Sequence, residues 1–318
     1  MFQLNPLTKK KLRRFRSIKR GYWSFLILFF LYLISLAGEL LVNKRALVVY
    51  YESDFFFPTY GEQFSGKDFG LGYDYEVDYR ELKRKFAKEN NENWVLMPMV
   101  PYGPYEMDYR LEGSNGFSPP NFERSHYCGT DKTERDVLAR LLYGFRIAMT
   151  FAMGYLVLTY LIAVAVGSFM GYLGGKSDML GLRFVEIWAN VPFLYMVIIL
   201  VSVMPGGWGI GWQVSSLLII MVLFSWTGMT YYIRASVYKE KARDYISAAK
   251  VIGAGPFRIV FKHLLPNVVS TLVTFAPFTI AAAISSITAL DFLGYGLPPP
   301  TPSWGELLKQ GVNNLRTA

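Results

Sequence analysis

The stretch DYISAAKVIGAGPFRIVFKHLLPN, residues 244–267, decides how this chain is organised. It is basic, it is interrupted by two glycines and two prolines, and it lies between two long apolar runs. Hydrocarbon offers no partners for backbone polar groups, so apolar runs of bilayer length form helices and a charged, broken segment between them lies in water. The pattern predicts a helical membrane protein with a turn-rich segment at one membrane surface.

Five apolar runs are long enough to cross a hydrocarbon core of about 30 Å, which takes about 20 helical residues. They cover residues 22–42, 147–173, 184–204, 212–233 and 268–290. Charged residues make up 18% of the 318 residues, below the roughly 25% of soluble domains, and the net charge is +9. The expected fold class is an all-α polytopic membrane protein, in which a basic excess indicates membrane orientation and no nucleic-acid partner.

The basic residues are concentrated on one side of this topology. Residues 1–21 form a basic tail, and residues 234–267 carry seven Lys and Arg against two acidic residues. The positive-inside rule places both segments in the cytoplasm. Residues 43–140 then form a periplasmic domain, which is rich in aromatic residues, proline and glycine and is expected to contain some strand.

The chain lacks the sequence signals of an enzyme. GYLGGKS at residues 171–177 has three residues between its first glycine and the Gly-Lys pair, where a phosphate-binding loop needs four. His126 and Cys128 are close in sequence, but two ligands do not make a zinc site. With no H-E-x-x-H and no G-x-S-x-G, we predict no catalytic residue and no metal site.

Residues 232–250 are expected to form a helix that leaves the membrane, and turn residues separate it from a second, short helix. Gly253 and Gly255 suit a sharp turn, and Pro256 suits the first position of a new helix. This second helix, residues 256–263, is expected to end before Pro266, which separates it from the fifth apolar run. So short a helix is unstable alone. Two interpretations remain open, namely docking into a partner and lying on the bilayer surface.

The same stretch resembles the EAA signature of binding-protein-dependent ABC importer permeases, which reads E-A-A, three residues, G, nine residues, I-x-L-P. Ser247 stands in place of the usual Glu, and His263 in place of Ile. In that family the segment is the coupling helix, which sits in a groove of the cytoplasmic ATPase. The resemblance implies ATPase-coupling roles for Ser247, Ala248, Ala249, Gly253, Ala254, Pro256, Phe257, Arg258, Leu265 and Pro266.

Two further stretches narrow the resemblance to dipeptide and oligopeptide permeases. GTDKTERDVLARLLYGFRIAMTF at residues 129–151 is similar to their G-T-D-x-x-G-R-D-V-L-S-R-L-L-Y-G segment, with Glu134 in place of Gly. DFLGYGLPPPTPSWGELL at residues 291–308 is similar to the segment after their fifth span. Together with the long block after the first span, the chain most resembles the Yej-type subunits of peptide and microcin C importers.

The resemblance implies a type I ABC importer permease fold, also called MetI-like, with its core at residues 141–318 and an inserted extracytoplasmic domain. It implies a bacterial inner-membrane protein surrounded by lipid, paired with a sister permease as a heterodimer. It also implies cytoplasmic ATP-binding subunits, which hold ATP and Mg, and a periplasmic peptide-binding protein. The permease itself binds no cofactor. The family has a sixth span beyond a segment like residues 311–318, so we expect this chain to be truncated.

The fifth run suggests a translocation pathway and gates. Its hydroxyl residues either line the pathway or form hydrogen bonds between helices. The pathway candidates are Thr274, Thr279, Ser285, Ser286 and Thr288. Pro192 and Pro277 are expected to kink the third and fifth spans and to help form a gate. Gly167, Gly171 and Gly175 are spaced for close helix approach.

Other classes of membrane protein fit the sequence less well. A secondary transporter or channel is expected to show internal repeats or charged residues deep within its spans. A membrane-anchored receptor or scaffold needs only one or two spans. Neither class accounts for residues 244–267.

Overall fold

The structure, a computed structural model, describes residues 15–89, 92–109, 116–205, 207 and 209–315. The chain divides into two compact units, Met1–Arg146 and Ile147–Ala318. Among the described residues, four helices are long and apolar enough to cross a membrane, or up to five if one bent pair is a single span. The chain is mostly helical, as its apolar runs predict.

The first unit begins with an apolar helix that is shorter than the run suggests. Helix α1 spans Lys19–Leu36, and a 3₁₀ turn at Gly38–Leu40 follows it, so the expected span over residues 22–42 ends six residues early. Gly38 and Glu39 supply the low helix propensity and the charge that end it. The residues that the structure describes bury no residue of α1, so its apolar surface is available to lipid.

A small antiparallel sheet follows α1. Its strands are β1 (Val48–Tyr51), β2 (Asp54–Phe56) and β3 (Trp94–Leu96), in the order β2-β1-β3. The β1–β2 hairpin turns through Glu52 and Ser53, which both have positive φ, as a two-residue hairpin turn requires. Helix α2 (Tyr79–Glu89) contributes Leu82 and Phe86 to a core with Val49 and Val95, so this segment has a hydrophobic core of its own.

The remaining helices have longer or more broken bounds than the apolar runs. They are α3 (Val137–Leu173), α4 (Gly175–Ala189), α5 (Phe193–Ser202), α6 (Ile210–Lys241), α7 (Asp244–Val251), α8 (Pro256–Leu293) and α9 (Trp304–Asn313). Helix α6 continues eight residues past the expected end of the fourth span at residue 233, in agreement with the helix expected to leave the membrane over residues 232–250. That helix is broken at Ala242 and Arg243, so the end of α6 and α7 replace the single helix that the sequence predicts.

The expected third span, residues 184–204, is two helices. Helices α4 and α5 meet at Pro192 with a bend of 68°. Proline disfavours helical geometry at the residue before it, so α4 ends ahead of Val191. The side-chain amide of Asn190 donates to the Glu186 carbonyl at 2.8 Å and satisfies an acceptor in the last turn of α4.

Pro266 does not separate a short helix from the fifth span, as the sequence predicts. Helix α8 runs continuously from Pro256, with a π-helical turn at Ile259–Leu264. In that turn the Leu265 N–H bonds to the Val260 carbonyl, five residues back. Pro266 follows directly, in the first turn of the regular α-helix that begins at Leu265, where a missing N–H is tolerated.

Close helix packing holds the second unit together. A Cβ added at Gly167 would lie 2.9 Å from the Thr230 carbonyl oxygen, and one at Gly171 would lie 2.9 Å from that of Arg234. Only glycine allows this approach of α3 to α6. Gly175 has open space around it and a φ of +57°, so it begins α4 and takes no part in this contact.

Candidate functional site

The chain turns sharply between α7 and α8, and backbone hydrogen bonds fix the turn. The Gly253 N–H bonds to the Lys250 carbonyl at 2.9 Å, and the Ala254 N–H bonds to the Ala249 carbonyl at 3.0 Å. With Gly253 at φ +86°, this is a Schellman C-cap, which requires a left-handed residue. Pro256 then occupies the first position of α8. The A-A-x-x-x-G spacing thus marks the end of α7, and α8 begins directly after the turn.

Four apolar side chains project from this turn into solvent. Val251 is 88% exposed, Ile252 86%, Phe257 82% and Phe261 65%. We call these four residues the tip patch. Exposed cations flank it, namely Lys250, Arg258 and Lys262. Several large apolar side chains exposed on one short segment beside cations indicate an interaction site.

The opposite side of the same segment is packed. Ile246 of α7 and Ile259, Leu264 and Val268 of α8 are buried in one cluster with Val237 and other residues of α6. Of the residues implied to couple, Ala254 packs against this cluster, and Ala249 and Leu265 are half-buried. Ser247, Ala248, Pro256 and Pro266 are exposed. One face of the segment packs against the buried cluster, and the opposite face is exposed.

A polar bridge adds a second anchor at the base of residues 244–267, which we call the tip. The Asn267 amide donates to the Tyr245 hydroxyl at 3.0 Å, and that hydroxyl donates to the Glu240 carboxylate at 2.8 Å. The bridge joins α6, α7 and α8. Sequence reasoning missed it, although Asn267 directly follows the L-P pair of the motif.

An ion pair links α4 to α6 near the same end of the helices. Arg234 Nε and one terminal nitrogen each lie 2.5 Å from an oxygen of Asp178, which is a bidentate pair. Lys241 donates to the Tyr172 carbonyl at 2.5 Å, at the C-terminus of α3. These contacts connect residues 56 and 69 positions apart, which no local pattern could have indicated.

The hydroxyl residues of α8 do not converge on one site. Thr274 and Ser285 are exposed, and Ser286 and Thr288 are half-buried. Thr279 lies 3.0 Å from the Tyr160 hydroxyl of α3, which is an interhelical hydrogen bond. The five pathway candidates therefore occupy different faces of one helix.

The two prolines differ in their settings. Pro192 precedes α5, at the 68° bend. Pro277 lies inside α8, which is helical on both sides of it, and its side chain is exposed.

A buried cluster of charges precedes α3, within the segment at residues 129–151. Asp131 accepts from the Arg135 side chain at 2.9 Å and lies 3.5 Å from Arg140 Nε. Burial would raise the pKa of Asp131, but the hydrogen bonds from Arg135 lower it below its ordinary value. Asp136 caps α3 by accepting from the Ala139 N–H at 2.7 Å. The T-D-x-x-x-R-D pattern thus builds a compact helix start.

His126 joins the same cluster. Its Nδ1 lies 2.8 Å from Asp136 and its Nε2 lies 3.2 Å from Asp108, and its ring stacks on Tyr102. Burial would lower the pKa of His126, but its bonds to Asp108 and Asp136 outweigh burial and raise the pKa above its ordinary value. Sequence reasoning considered His126 only as a metal ligand beside Cys128 and missed both carboxylate partners. Cys128 is exposed.

Comparisons with known proteins agree with the motifs. Residues 163–312 match the family of binding-protein-dependent transport system inner membrane components. The inner membrane ABC transporter permease protein YejE of Escherichia coli (strain K12) is 38% identical over 99% of this chain and 89% of its own length. The peptidoglycan transport system permease protein YejE of Agrobacterium fabrum is 33% identical over 98% and 85%.

A third relative matches over a shorter stretch. The dipeptide transport system permease protein DppC of Bacillus subtilis is 34% identical over 62% of this chain and 59% of its own length. The tip, the bent α4–α5 pair and α8 all lie within the residues that match the family model. The chain therefore belongs to the binding-protein-dependent ABC transporter permeases, the inner membrane components of these transport systems.

Proposed function

We propose that this chain is a peptide importer permease whose tip, residues 244–267, transmits the movement of partner ATPase subunits to the membrane helices. The tip patch carries the proposal, since its apolar side chains are exposed while the other face of the segment is anchored. A segment that must transmit displacement has to be rigid, and the Schellman cap leaves only Ile252 to Gly255 between two helices. The partners hold ATP and Mg, and this chain hydrolyses no nucleotide.

The cytoplasmic position of the tip follows from charge. Its exposed cations, together with the basic tail at residues 1–21, satisfy the positive-inside rule. Residues 43–140 then lie in the periplasm of a bacterial inner membrane. The sheet and α2 support this part of the proposal, because they form a core that needs no lipid.

Helix α8 supports a sister permease and a pathway between the two subunits. Ser270, Thr274, Pro277, Ala281 and Ser285 recur at helical spacing, and all are exposed in this chain. A second permease facing this small, weakly polar stripe would leave room for a peptide backbone. Pro192 and Pro277 are the gate candidates in this arrangement.

The substrate class rests on the relatives. One full-length relative is described as a peptidoglycan transport permease, and shorter matches are described as dipeptide and oligopeptide transport permeases. We therefore assign peptides as the cargo, delivered by a periplasmic binding protein. Microcin-like peptides belong to the same chemical class.

Co-purification tests the assignment of the tip. We expect the purified chain to retain its ATPase subunits, and the double substitution F257D/F261D to lose them. Tyr60→Asp is the matched control, because Tyr60 is 65% exposed and lies in the first unit. Retention of the ATPase by F257D/F261D at normal membrane abundance would contradict the proposal.

A further inference from the structure

The first unit contains a cavity that none of the proposed transport roles uses. Its volume is about 600 Å³, within the range of about 300–1,000 Å³ that ligand sites occupy. One wall is α2, a second is the chain from Met97 to Tyr102, and a third is the loop at residues 123–127. All three walls belong to the unit with its own hydrophobic core.

Cations line this cavity. Lys83 and Arg84 face it from α2, and Arg124 faces it from the loop. Arg84 donates to the Arg80 carbonyl through Nε, and none of the three cations forms an ion pair within the part of the chain that the structure describes. Their charges remain available to a ligand.

The other charged groups of the lining are mostly neutralised. Arg80 pairs with Glu106 and Asp78, and Asp108 bonds to His126. The exposed carboxylate of Glu123 is left beside the three cations, so the cavity carries a net positive charge. Such a site attracts carboxylates and repels cations.

Apart from Ser125, the rest of the lining is apolar and adaptable. Met97, Pro98, Met99 and Tyr127 contribute to it. Methionine side chains repack around ligands of different shape, which suits a site that accepts varied side chains. Carboxylate recognition is thus combined with unspecific apolar contact.

We propose that this cavity binds the acidic end of a short peptide, with Lys83, Arg84 and Arg124 receiving its carboxylates. The proposal rests on the proposed function, because a peptide reaches this cavity only if residues 43–140 lie in the periplasm. A concave site of this volume favours a short peptide over a folded protein, since stable protein interfaces bury more than about 1,000 Å² of flatter surface. The site would hold cargo next to the permease.

The test uses the full chain in lipid nanodiscs and a fluorescein-labelled tri-glutamate peptide, with tri-lysine as the reversed-charge probe. Anisotropy titration is expected to show binding of tri-glutamate that weakens with salt, and no binding of tri-lysine. An exposed charge pair contributes a few-fold in affinity, so K83Q/R84Q should weaken binding by about tenfold and Arg124→Gln by a few-fold. Glu123→Gln should strengthen it, because an opposing charge is removed.

Lys88→Gln provides the matched control, because Lys88 is an exposed cation on α2 outside this cavity. It should leave the affinity unchanged. Equal binding of both probes, or tri-glutamate affinity that K83Q/R84Q and Glu123→Gln leave unaltered, would overturn the proposal. So would loss of solute-binding-protein attachment in K83Q/R84Q without any tri-glutamate binding, which would indicate a protein-docking surface. The titration needs no ATPase, so its failure is distinct from failure of coupling.

Discussion

Glu134 has a backbone conformation that glycine adopts more readily than other residues. Its φ is +59°, and its backbone bonds to Asp131 and Asp108 keep it there. A left-handed conformation costs a non-glycine residue about 1–2 kcal/mol. Glycine avoids this cost, but it loses more backbone entropy on folding, which offsets about 0.5–1 kcal/mol of the gain in stability. We expect Glu134→Gly to stabilise the protein by about 0.5–1 kcal/mol, measured by thermal unfolding of the purified chain.

Glu134→Ala separates backbone relief from loss of the carboxylate. Alanine keeps the unfavourable φ, so this variant should show none of the gain. Equal stabilisation by Ala and Gly would mean that the carboxylate, and not the backbone, was the source of strain.

His126 makes stability depend on pH. Its pKa is raised in the folded protein, so its stabilisation is complete below the ordinary value and is lost as pH rises through the folded pKa. Asp108 and Asp136 face the ring edges, and Tyr102 covers one ring face. We expect the unfolding temperature to fall from pH 6 towards pH 9, and His126→Gln to lower it at pH 6 and flatten the slope.

The other histidine provides the comparison. His263→Gln should retain the slope of the parent protein, because His263 is outside this cluster. An unchanged slope in His126→Gln would show that another group produces the pH dependence.

At the scale of elements, the contact between α3 and α6 depends on glycine. A side chain at Gly171 would meet the Arg234 carbonyl and Val237 at about 3 Å. Overpacking of this kind costs about 1–3 kcal/mol. We expect Gly171→Leu to lower the unfolding temperature of the chain in detergent. Fluorescence-detected size-exclusion chromatography of heated samples measures this temperature.

Gly228→Leu is the control for that experiment. Gly228 lies on α6 with nothing within 4 Å of an added Cβ, so the isolated chain should tolerate leucine there. Equal losses in both variants would mean that leucine harms α3 and α6 regardless of their contact.

The elements that the sequence predicts well are those with local causes. The length of the apolar runs is enough to predict helices α1, α3, α6 and α8. The conformational preferences of Gly253 and Pro256 are enough to predict the turn between α7 and α8. The break at Pro192 was expected only as a kink, because a proline alone does not reveal whether the helix restarts in a new direction. The π-helical turn before Pro266 has no sequence signal that we know.

The site was less predictable than the helices for a related reason. The motif identifies the turn, but exposure of the tip patch depends on which residues α6 covers. The Asp178–Arg234 pair and the Glu240–Tyr245–Asn267 bridge join elements that are distant in sequence. The helix expected over residues 232–250 includes Arg234, but the pairing of Arg234 with Asp178 has no local sequence signal.

At the scale of the whole molecule, two exposed surfaces are relevant to the proposed assembly. The tip patch has four large exposed apolar side chains, and α8 presents a small-residue face that the described residues leave exposed. Under the proposed function, the first surface would contact an ATPase subunit and the second a sister permease. In the proposed function, the tip is therefore the connection between ATP hydrolysis and transport.

Uptake of a labelled peptide by proteoliposomes containing the complete importer, with ATP hydrolysis measured in the same vesicles, tests that claim most directly. Gly253→Pro removes both the N–H that bonds to Lys250 and the positive φ of the turn. We expect this variant to reach normal abundance and to lose peptide uptake per ATP hydrolysed. Normal uptake by Gly253→Pro at the hydrolysis rate of the parent would contradict the role of the tip in coupling.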